Sequence, residues 1–438
     1  MTRIPHVKLQ IFYLKKVIIR LMKQPFNWDN NSDQPYPLQD KNYKKKMRKS
    51  QIGSLLKTFF VSLFILPFSL IMMPFVKRNR VDSNYFFCIG VDYQREREAT
   101  LELLDELGVE RVLVRFKLWE METIDELKSF LLKLKGKKVT LKVIQDREHI
   151  EDLDLFKKDL ENIFSDLDQY VDIFEIGTTI NRTKWGFFSV DEYNGFYQVA
   201  YDLKTSKYPN IKLIGGGVID FEYHFTAHTL FNQKKYHYDG VASLLYVDRR
   251  GAPENMQMGF YLLDKIALLS TMVWLSPKSA HELHITETNW PLSGTAPYAP
   301  TSEYECVSEE LYGDYMLRYY LLAFASQQVN SVSWHQLIAA GYGLVDNREG
   351  LRKREAYEVY KYMVHTLKNA EFLRLDIKRG HFILQCLLQN DELLQIHWSL
   401  QPKTIKNEDI FRTFSSSGEK IEDEFLNICS SPLYIFIK

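Results

Sequence analysis

Short apolar runs alternate with segments of helical periodicity between residues 85 and 370. A run of about four to eight apolar residues indicates a buried strand, whereas apolar residues about every three or four positions indicate one face of a helix. The runs that we interpret as strands are YFFCIGVDY (85–93), VERVLVRF (109–116), KVTLKVI (138–144), VDIFEIG (171–177), IKLIGGGVI (211–219), GVASLLYV (240–247), ELHITETNW (282–290) and SVSWHQL (331–337). Strands that alternate with helices predict a parallel sheet, and this number over about 280 residues predicts an α/β fold, the (β/α)₈ or TIM barrel.

The alternation stops near residue 370. The runs FLRLDI, HFILQCLL, ELLQIHWSL and PLYIFI resemble strands, and polar turns separate them. This pattern predicts a small antiparallel β appendage. We therefore divide the chain into a membrane-associating region at 1–82, a barrel at 83–369 and a β-rich C-terminal domain at 370–438.

The first 82 residues have a different pattern. The segment 7–23 mixes apolar and basic residues, as in a basic amphipathic helix at a membrane interface, although a helix packed on the barrel is the alternative. The polar segment 27–40 indicates a linker, and KNYKKKMRKS then forms a cationic cluster. Residues 59–76 carry no charge and are just long enough to cross a bilayer. We predict membrane association at a bacterial inner membrane and leave the side of the barrel open.

Charge and cysteine content exclude several classes of function. The net charge of the 438 residues is zero, but residues 1–58 carry 13 basic against 3 acidic side chains, so the remainder carries 43 against 53. An acidic barrel argues against a nucleic-acid partner. The four cysteines are widely spaced, which indicates neither a metal site nor a disulfide framework. We predict no cofactor.

Candidate chemistry stands where the predicted strands end, because active sites of this barrel lie at the carboxyl ends of the strands. Acids and tryptophans together suit a sugar, whose apolar faces stack on aromatic rings while carboxyl groups act on the glycosidic oxygen. Any single acid among them could also be a helix cap or a solvated charge. The residues are Asp92, Arg115, Trp119, Asp146, Glu148, Thr178, Thr179, Asp220, Glu222, Tyr246, Glu287, Trp334 and His335.

Four of these motifs resemble those of the clan A glycoside hydrolases, a superfamily of retaining (β/α)₈ enzymes. ITETNWP at 285–291 resembles the seventh-strand motif, which implies that Glu287 is the nucleophile. VLVRF and SLLY resemble the second- and sixth-strand motifs, which implies that Arg115 and Tyr246 hold that carboxylate. SVSWHQ resembles the eighth-strand motif, which implies that Trp334 is a sugar platform. The further substrate-binding candidates are His335, Asn181, Thr178, Thr179, Trp290 and Trp119.

The chain departs from the superfamily at the end of the fourth strand. The superfamily pattern there is like EIGNEPN, in which the second glutamate is the general acid/base, but this chain reads EIGTTIN and places Thr179 at that position. General acid catalysis contributes about 10²–10⁴-fold. A donor with a good leaving group, such as a lipid-linked sugar phosphate, would not need the acid in the first step. The alternative acids are Asp146, Glu148, Asp220, Glu222 and Glu175.

Two functions follow from these patterns. The first is a membrane-associated glycosidase or transglycosidase that acts on a glycosidic bond of an envelope glycan or of a lipid-linked saccharide, with Glu287 as nucleophile or electrostatic stabiliser. The alternative is a catalytically inactive barrel that binds carbohydrate or serves as a scaffold in a membrane complex for polysaccharide or lipopolysaccharide biosynthesis.

Overall fold

Eight parallel strands close into a barrel in the computed structural model, which describes residues 26–76, 80–406 and 410–437. Strands are numbered along the chain from an N-terminal hairpin of β1 (Trp28–Asp29) and β2 (Gln34–Pro35). The barrel strands are β3 (Phe87–Val91), β4 (Arg111–Lys117), β5 (Lys138–Ile144), β6 (Ile173–Ile176), β7 (Lys212–Ile219), β8 (Gly240–Leu244), β9 (Leu283–Thr288) and β10 (Ser331–Trp334). Each strand pairs with its neighbour in the chain, and β10 pairs with β3 to close the ring. The predicted TIM barrel is confirmed.

Helices surround the barrel and bury one apolar face each. In Arg97–Leu107, for example, Leu103, Leu104 and Leu107 are buried, and Gly108 ends the helix in the left-handed region at φ 67°. Side-chain caps begin several others, such as Ser189, which accepts a hydrogen bond from the amide of Glu192. The remaining helices of the barrel are Ser83–Phe86, Ile124–Lys133, Arg147–Glu151, Leu153–Leu167, Val190–Lys207, Tyr223–Leu230, Leu262–Leu275, Glu309–Ser326 and Glu355–Leu367.

Strand register places three ionisable side chains at one level of the barrel. Arg115 of β4 stands opposite Lys142 of β5, and Lys142 stands opposite Glu175 of β6. All three are buried, although their neighbours along each strand are apolar. Buried charges persist only when they are paired. The register therefore brings the groups of a polar site together inside an apolar core.

The predicted C-terminal antiparallel sheet is also confirmed. Six strands pair in the order β13-β14-β15-β20-β17-β18, and β16 pairs with β19. Trp398 of β15 is fully buried in the main core, and its Nε1 donates to Glu254 Oε1 at 2.9 Å, so the sheet packs on the barrel. Two short strands precede it, β11 (Val345–Asp346) and β12 (Arg352–Lys353). The strands of the sheets are β13 (Glu371–Lys378), β14 (His381–Leu387), β15 (Leu393–Ser399), β16 (Lys403–Lys406), β17 (Ile410–Phe414), β18 (Lys420–Ile421), β19 (Phe425–Ile428) and β20 (Leu433–Ile437).

The N-terminal region differs from the expected linker. The predicted amphipathic helix at 7–23 lies outside the described residues, but part of the polar segment 27–40 forms the β1–β2 hairpin. Its polar side chains close the turn locally, since Asp29 accepts hydrogen bonds from the amide of Asn31 at 3.0 Å and from the hydroxyl of Ser32 at 2.7 Å. A polar sequence therefore specifies a turn here rather than a linker.

Two helices follow the hairpin. The first is Lys41–Ser50, which Asp40 caps, and the second is Ile52–Met72, which contains Pro67 and continues as a 3-10 turn to Phe75. The segment Ile52–Phe75 is long and apolar enough to cross a membrane. The core helix of a soluble protein can have the same length and composition.

Candidate active site

A pocket of about 480 Å³ opens at the carboxyl ends of the barrel strands. Residues at or just after the ends of β4, β6, β7, β8, β9 and β10 line it, and the β1–β2 turn contributes Ser32, Asp33 and Gln34. The predicted site residues among its lining are Arg115, Thr179, Asp220, Glu222, Tyr246, Glu287 and His335. The pocket therefore brings together residues that lie far apart in the sequence.

Glu287 stands in this pocket with both carboxylate oxygens bound. The hydroxyl of Tyr246 donates to Oε1 at 2.7 Å, and Lys142 Nζ donates to Oε2 at 3.3 Å. Glu287 is 8% exposed, so it still meets the pocket. These two contacts hold the carboxylate in one orientation at the pocket wall. A carboxylate that acts as a nucleophile must be held in this way.

The surroundings keep Glu287 ionised. Burial alone would raise the pKa of Glu287, but His335, Lys142 and Arg115, together with the Tyr246 hydrogen bond, outweigh burial and hold the pKa at about 2. Burial lowers the pKa of His335 itself to about 4, so its ring is neutral at pH 7. The electrostatic stabilisation of the Glu287 carboxylate at neutral pH therefore comes from Lys142 and Arg115.

Lys142 joins Glu287 to a second, deeper carboxyl group. Lys142 Nζ lies 3.6 Å from Glu175 Oε1, which also accepts a hydrogen bond from the hydroxyl of Thr286 at 2.9 Å. Glu175 is fully buried and is not part of the pocket lining. Burial raises the pKa of Glu175 to about 7, and the charge of Lys142 opposes that rise. Glu175 thus lies beneath the site, where a bound sugar would not contact it.

Arg115 has a partner that the sequence did not indicate. Its Nη1 donates to Asp33 Oδ2, and its Nη2 donates to the main-chain oxygen of Asp33 at 3.4 Å. Asp33 stands in the β1–β2 turn with φ 51°, a conformation that Asp adopts more readily than most residues. Burial would raise the pKa of Asp33, but the charges of Arg115, Lys117 and Arg95 outweigh burial and lower the pKa. Arg115 therefore acts on Glu287 through space, while its described hydrogen bonds go to Asp33.

Threonines stand at the end of β6, as the sequence predicts. Thr179 lines the pocket with φ 50°, and Thr178 lies beside it with a hydroxyl–hydroxyl distance of 3.4 Å. Gln145 holds the main chain here, because its side chain accepts from the Thr178 amide and donates to the Thr178 carbonyl, both at 2.9 Å. A threonine hydroxyl is too weak an acid to protonate a leaving group at neutral pH.

A lysine on the same loop reaches the pocket. Lys184 lies in the 3-10 turn Thr183–Trp185 that follows Thr179, and its Nζ donates to Gln34 Oε1 at 2.5 Å. Burial and the nearby charge of Arg182 lower the pKa of Lys184 to about 8. An ammonium group with this pKa is charged at pH 7 and can still transfer its proton.

Two of the alternative acids line the pocket and are paired with a cation. Arg182 donates to Asp220 Oδ2 and to Glu222 Oε2, each at 2.7 Å. Glu222 Oε2 also accepts from Asn181 Nδ2 at 2.7 Å. Asn181 in addition bonds the main-chain amide and carbonyl of Ile219, so it ties the β6 loop to the end of β7 and is not part of the pocket lining.

The acids that follow β5 lie elsewhere. Asp146 caps the helix Arg147–Glu151, where its Oδ1 accepts from the amide of His149 and lies 2.9 Å from the Nδ1 of His149. Glu148 is exposed on that helix. Neither residue belongs to the pocket lining. The structure therefore separates Asp146 and Glu148 from Glu287.

The predicted tryptophans Trp119, Trp290 and Trp334 are not part of the pocket lining. Trp334 is fully buried, its Nε1 donates to the hydroxyl of Tyr312 at 2.9 Å, and its ring stacks on Trp290 at 5.9 Å. Side chains alternate along a strand, so Trp334 points to the outer helices while the next residue, His335, lines the pocket. Trp119 packs against Trp28 of the hairpin at 5.1 Å.

Several residues of the site were missed from the sequence, among them Lys142, Lys184, Trp185 and Asp33. Lys142 could have been found as a lysine in the interior of a mainly apolar strand, because such a residue must be paired inside the barrel. Trp185 and Lys184 follow the β6 motif directly, and Trp185 gives the pocket an aromatic ring. Asp33 had no usable signal, since it reaches the site only through the fold of the N-terminal segment.

Within the described ranges, no group of three His, Cys, Asp or Glu side chains could hold a metal ion. The pocket holds the carboxylate of Glu287 with cationic and aromatic neighbours. Chemistry of this kind proceeds by nucleophilic attack and proton transfer between protein side chains and substrate.

The fold is shared with solved glycoside hydrolases, although no family model and no curated protein matches the chain. A family 39 glycoside hydrolase from the gut symbiont Bacteroides cellulosilyticus WH2 has a TM-score of 0.63 and 15% identity, and the match covers 82% of each chain. A family 30 xylanase from Clostridium acetobutylicum has a TM-score of 0.57 and 10% identity over 83% of this chain and 97% of that one. A family 39 β-xylosidase from Caulobacter crescentus has a TM-score of 0.55 and 13% identity over 83% and 98%. The predicted resemblance to clan A is confirmed for the fold.

Proposed function

We propose that the chain is a glycoside-hydrolase-like enzyme that transfers a glycosyl group through Glu287. The observation that carries this proposal is the Glu287 carboxylate, which Tyr246 and Lys142 hold at both oxygens inside a pocket. The carbohydrate substrate follows from the glycosidase fold and from the aromatic rings of Trp185 and Tyr246 in the lining.

The first step is attack by Glu287 on the anomeric carbon of the bound sugar. A lone pair of a Glu287 oxygen forms the new bond to that carbon, and the electron pair of the breaking glycosidic bond passes to the leaving oxygen. Tyr246 and Lys142 keep the carboxylate ionised before attack, and Arg115 adds to the positive field. The product of this step is a glycosyl ester of Glu287.

Lys184 takes the place of the acid that is missing at Thr179. Its ammonium group lies on the loop that follows β6, and its lowered pKa suits donation of a proton to the leaving oxygen. In the second step the resulting amine accepts the proton of water or of an acceptor hydroxyl, which attacks the anomeric carbon and releases Glu287. Water gives hydrolysis, and a sugar acceptor gives transglycosylation.

The substrate in this proposal is an envelope glycan or a lipid-linked saccharide at a bacterial inner membrane. Support comes from the apolar segment Ile52–Phe75, which is long enough to cross a bilayer, and from the basic residues before it. An anionic leaving group such as a lipid phosphate would also pair with Lys184 and Arg250, which both line the pocket.

Covalent labelling tests the proposal. Purified protein is treated with a panel of dinitrophenyl 2-deoxy-2-fluoroglycosides, which form long-lived glycosyl esters on a carboxylate nucleophile. We expect one sugar adduct by mass spectrometry on the peptide that contains Glu287, and none in Glu287→Gln. The matched control is Glu148→Gln, the same change at an exposed glutamate, which should keep the adduct. Folded protein that forms no adduct with any member of the panel, or forms it on another residue, contradicts the proposal.

A carbohydrate-binding barrel without catalysis is the second candidate function. The observation that favours it is the pair of threonines at the end of β6, where the superfamily has its acid. This candidate predicts that calorimetry detects binding of envelope oligosaccharides, that Glu287→Gln leaves the affinity nearly unchanged, and that neither protein turns the ligand over. Adduct formation on Glu287 would exclude it.

A further inference from the structure

The helix Ile52–Met72 is packed with its polar side toward the protein. Its buried residues are Ser54, Thr58, Ser62 and Ser69, which recur at helical spacing along one stripe. Val61, Ile65 and Leu66 pack against the barrel core, but most of its large apolar side chains point outward, the reverse of the order in a helix that packs on a water-soluble core. The exposed ones along the segment include Phe59, Phe60, Phe64, Phe68, Ile71 and Phe75.

Specific contacts fix this orientation. Thr58 Oγ1 lies 2.8 Å from His228 Nδ1 on the barrel helix Tyr223–Leu230. The amide of Asp191 donates to Ser54 Oγ at 3.1 Å, and Lys57 Nζ donates to Asp191 Oδ2 at 2.9 Å. The buried hydroxyl groups themselves therefore bind the barrel, since Thr58 contacts His228 and Ser54 accepts from the Asp191 amide. The helix is therefore held along the side of the barrel by its polar face.

A helix that is held in this way does not cross a bilayer. The 24 residues of Ile52–Phe75 span about 36 Å at about 1.5 Å per residue, enough for a hydrocarbon core of about 30 Å. Upright insertion, however, would either break the contacts of Ser54 and Thr58 or carry the attached barrel helices into hydrocarbon, where their polar groups would lose water. Lying parallel to the surface keeps those contacts and buries only the apolar face.

The charge beside this face identifies what covers it. The preceding helix Lys41–Ser50 has no acidic residue and no buried residue, and its cations are Lys41, Lys44, Lys45, Lys46, Arg48 and Lys49. Such clusters are attracted to anionic lipid headgroups. Residues 59–76 carry no charge at all. A surface that binds another protein usually has a polar rim, so this segment fits lipid better than a protein partner. The apolar patch that the exposed apolar side chains form is also larger than the exposed apolar patches usual on soluble proteins.

We propose that Ile52–Phe75 is a monotopic anchor that lies in one leaflet of a membrane containing anionic lipid, with the barrel and both ends of the helix on the same side. The inference shares the membrane placement with the proposed function and does not depend on the chemistry of Glu287. Length and hydropathy indicate that Ile52–Phe75 crosses the membrane, whereas in this proposal it lies parallel to the membrane surface.

Vesicle flotation tests the surface. Full-length protein is mixed with phosphatidylcholine vesicles that contain or lack phosphatidylglycerol, and we expect stronger binding to the anionic ones. Phe64→Asp with Phe68→Asp should lower the partition coefficient by about tenfold or more, because two carboxylates would have to leave water. Phe411→Asp with Phe425→Asp is the matched control, since these two side chains on C-terminal strands are 61% and 54% exposed, against 70% and 50% for Phe64 and Phe68. Equal binding by all three proteins, or light scattering that shows a stable dimer closed over this face, overturns the proposal.

Thiol labelling tests the orientation. Lys49→Cys and Arg80→Cys place a thiol before and after the segment, in a background with Cys306→Ser and Cys429→Ser, because these two cysteines are partly exposed. Sealed right-side-out and inside-out membrane vesicles from producing cells are treated with a maleimide that does not cross membranes. Both thiols should react from the same face. Reaction from opposite faces overturns the monotopic arrangement but leaves the membrane placement intact. Absence of any membrane binding overturns both the monotopic arrangement and the membrane placement. Neither outcome affects the proposed chemistry of Glu287.

Discussion

The end of β9 and the loop after β6 are two parts of one pocket, and they are built in different ways. Glu287 at the end of β9 is in direct contact with Tyr246, which follows β8, and with Lys142, which lies inside β5. The pKa of Glu287 is lowered to about 2. The β6 loop instead presents Thr179 and Lys184, with a side-chain contact between Lys184 and Gln34 of the hairpin. The proposed nucleophile is held by residues of the barrel strands, whereas the proposed acid is held by loop residues.

The fold itself maintains the half of the site that surrounds Glu287. Strand register brings Arg115, Lys142 and Glu175 to one level, so the charges that hold Glu287 form part of the buried core. Loops tolerate substitution more readily than strands. A change of acid from a carboxyl group to an amine is therefore easier at the β6 loop than a change of nucleophile at β9.

The largest effect should come from Lys142→Met, which removes the cation between Glu175 and Glu287. We expect a loss of about 3–5 kcal/mol in the free energy of unfolding at pH 7, because two buried carboxyl groups lose their shared partner. Lys138→Met is the matched control in the same strand, where Lys138 forms a surface pair with Asp172 at 3.0 Å, worth about 0–1 kcal/mol. Denaturant titration measures both. Equal losses would mean that the cation does not support the buried carboxyl groups.

Glu175 should make stability depend on pH in a defined window. Its folded pKa of about 7 lies above the ordinary 4.5, so the folded state binds this proton more tightly and its contribution to stability falls as pH rises from about 4.5 to about 7. The free energy of unfolding of the natural chain minus that of Glu175→Gln should therefore decrease by up to about 3 kcal/mol between pH 5 and pH 8. A difference that stays constant with pH would contradict the burial of an ionisable Glu175.

A smaller effect is expected at the hairpin. Asp33→Asn removes a charged partner of Arg115, so we expect a loss of about 1–2 kcal/mol in stability and faster proteolysis of the β1–β2 turn. Asp125→Asn is the control, because Asp125 is exposed on the helix Ile124–Lys133. Unchanged proteolysis of the hairpin would show that Trp28, which packs against Trp119 and Trp185, holds it without Asp33.

The sequence predicts the barrel well because each strand is a mainly apolar run closed by polar residues. Glu287 and Tyr246 are found for the same reason, since both follow such runs and all carboxyl ends of a parallel barrel meet at one edge. Their contact at 2.7 Å accords with that expectation.

Side-chain direction and distant contacts are what the patterns leave undetermined. Trp334 and His335 are adjacent, and a shift of one residue in a strand exchanges the inner and outer faces, so the motif alone does not identify the residue that lines the pocket. Asp33 meets Arg115 across 82 positions of sequence through a hairpin whose polar composition resembles that of a linker. Such contacts depend on the folded path of the chain.

The dependence of rate on the leaving group tests the central claim most directly, namely that Glu287 attacks and Lys184 supplies the proton. Single-turnover rates are compared for the natural chain, Lys184→Met and Lys184→Arg on the glycosides that label Glu287, with dinitrophenyl and with alkyl leaving groups. We predict that dinitrophenyl substrates react almost equally with all three proteins, whereas alkyl substrates slow by about 10²–10⁴-fold in both variants, because arginine keeps the charge but does not give up its proton. Equal slowing for both leaving groups, or full activity of Lys184→Met on alkyl substrates, would contradict the claim.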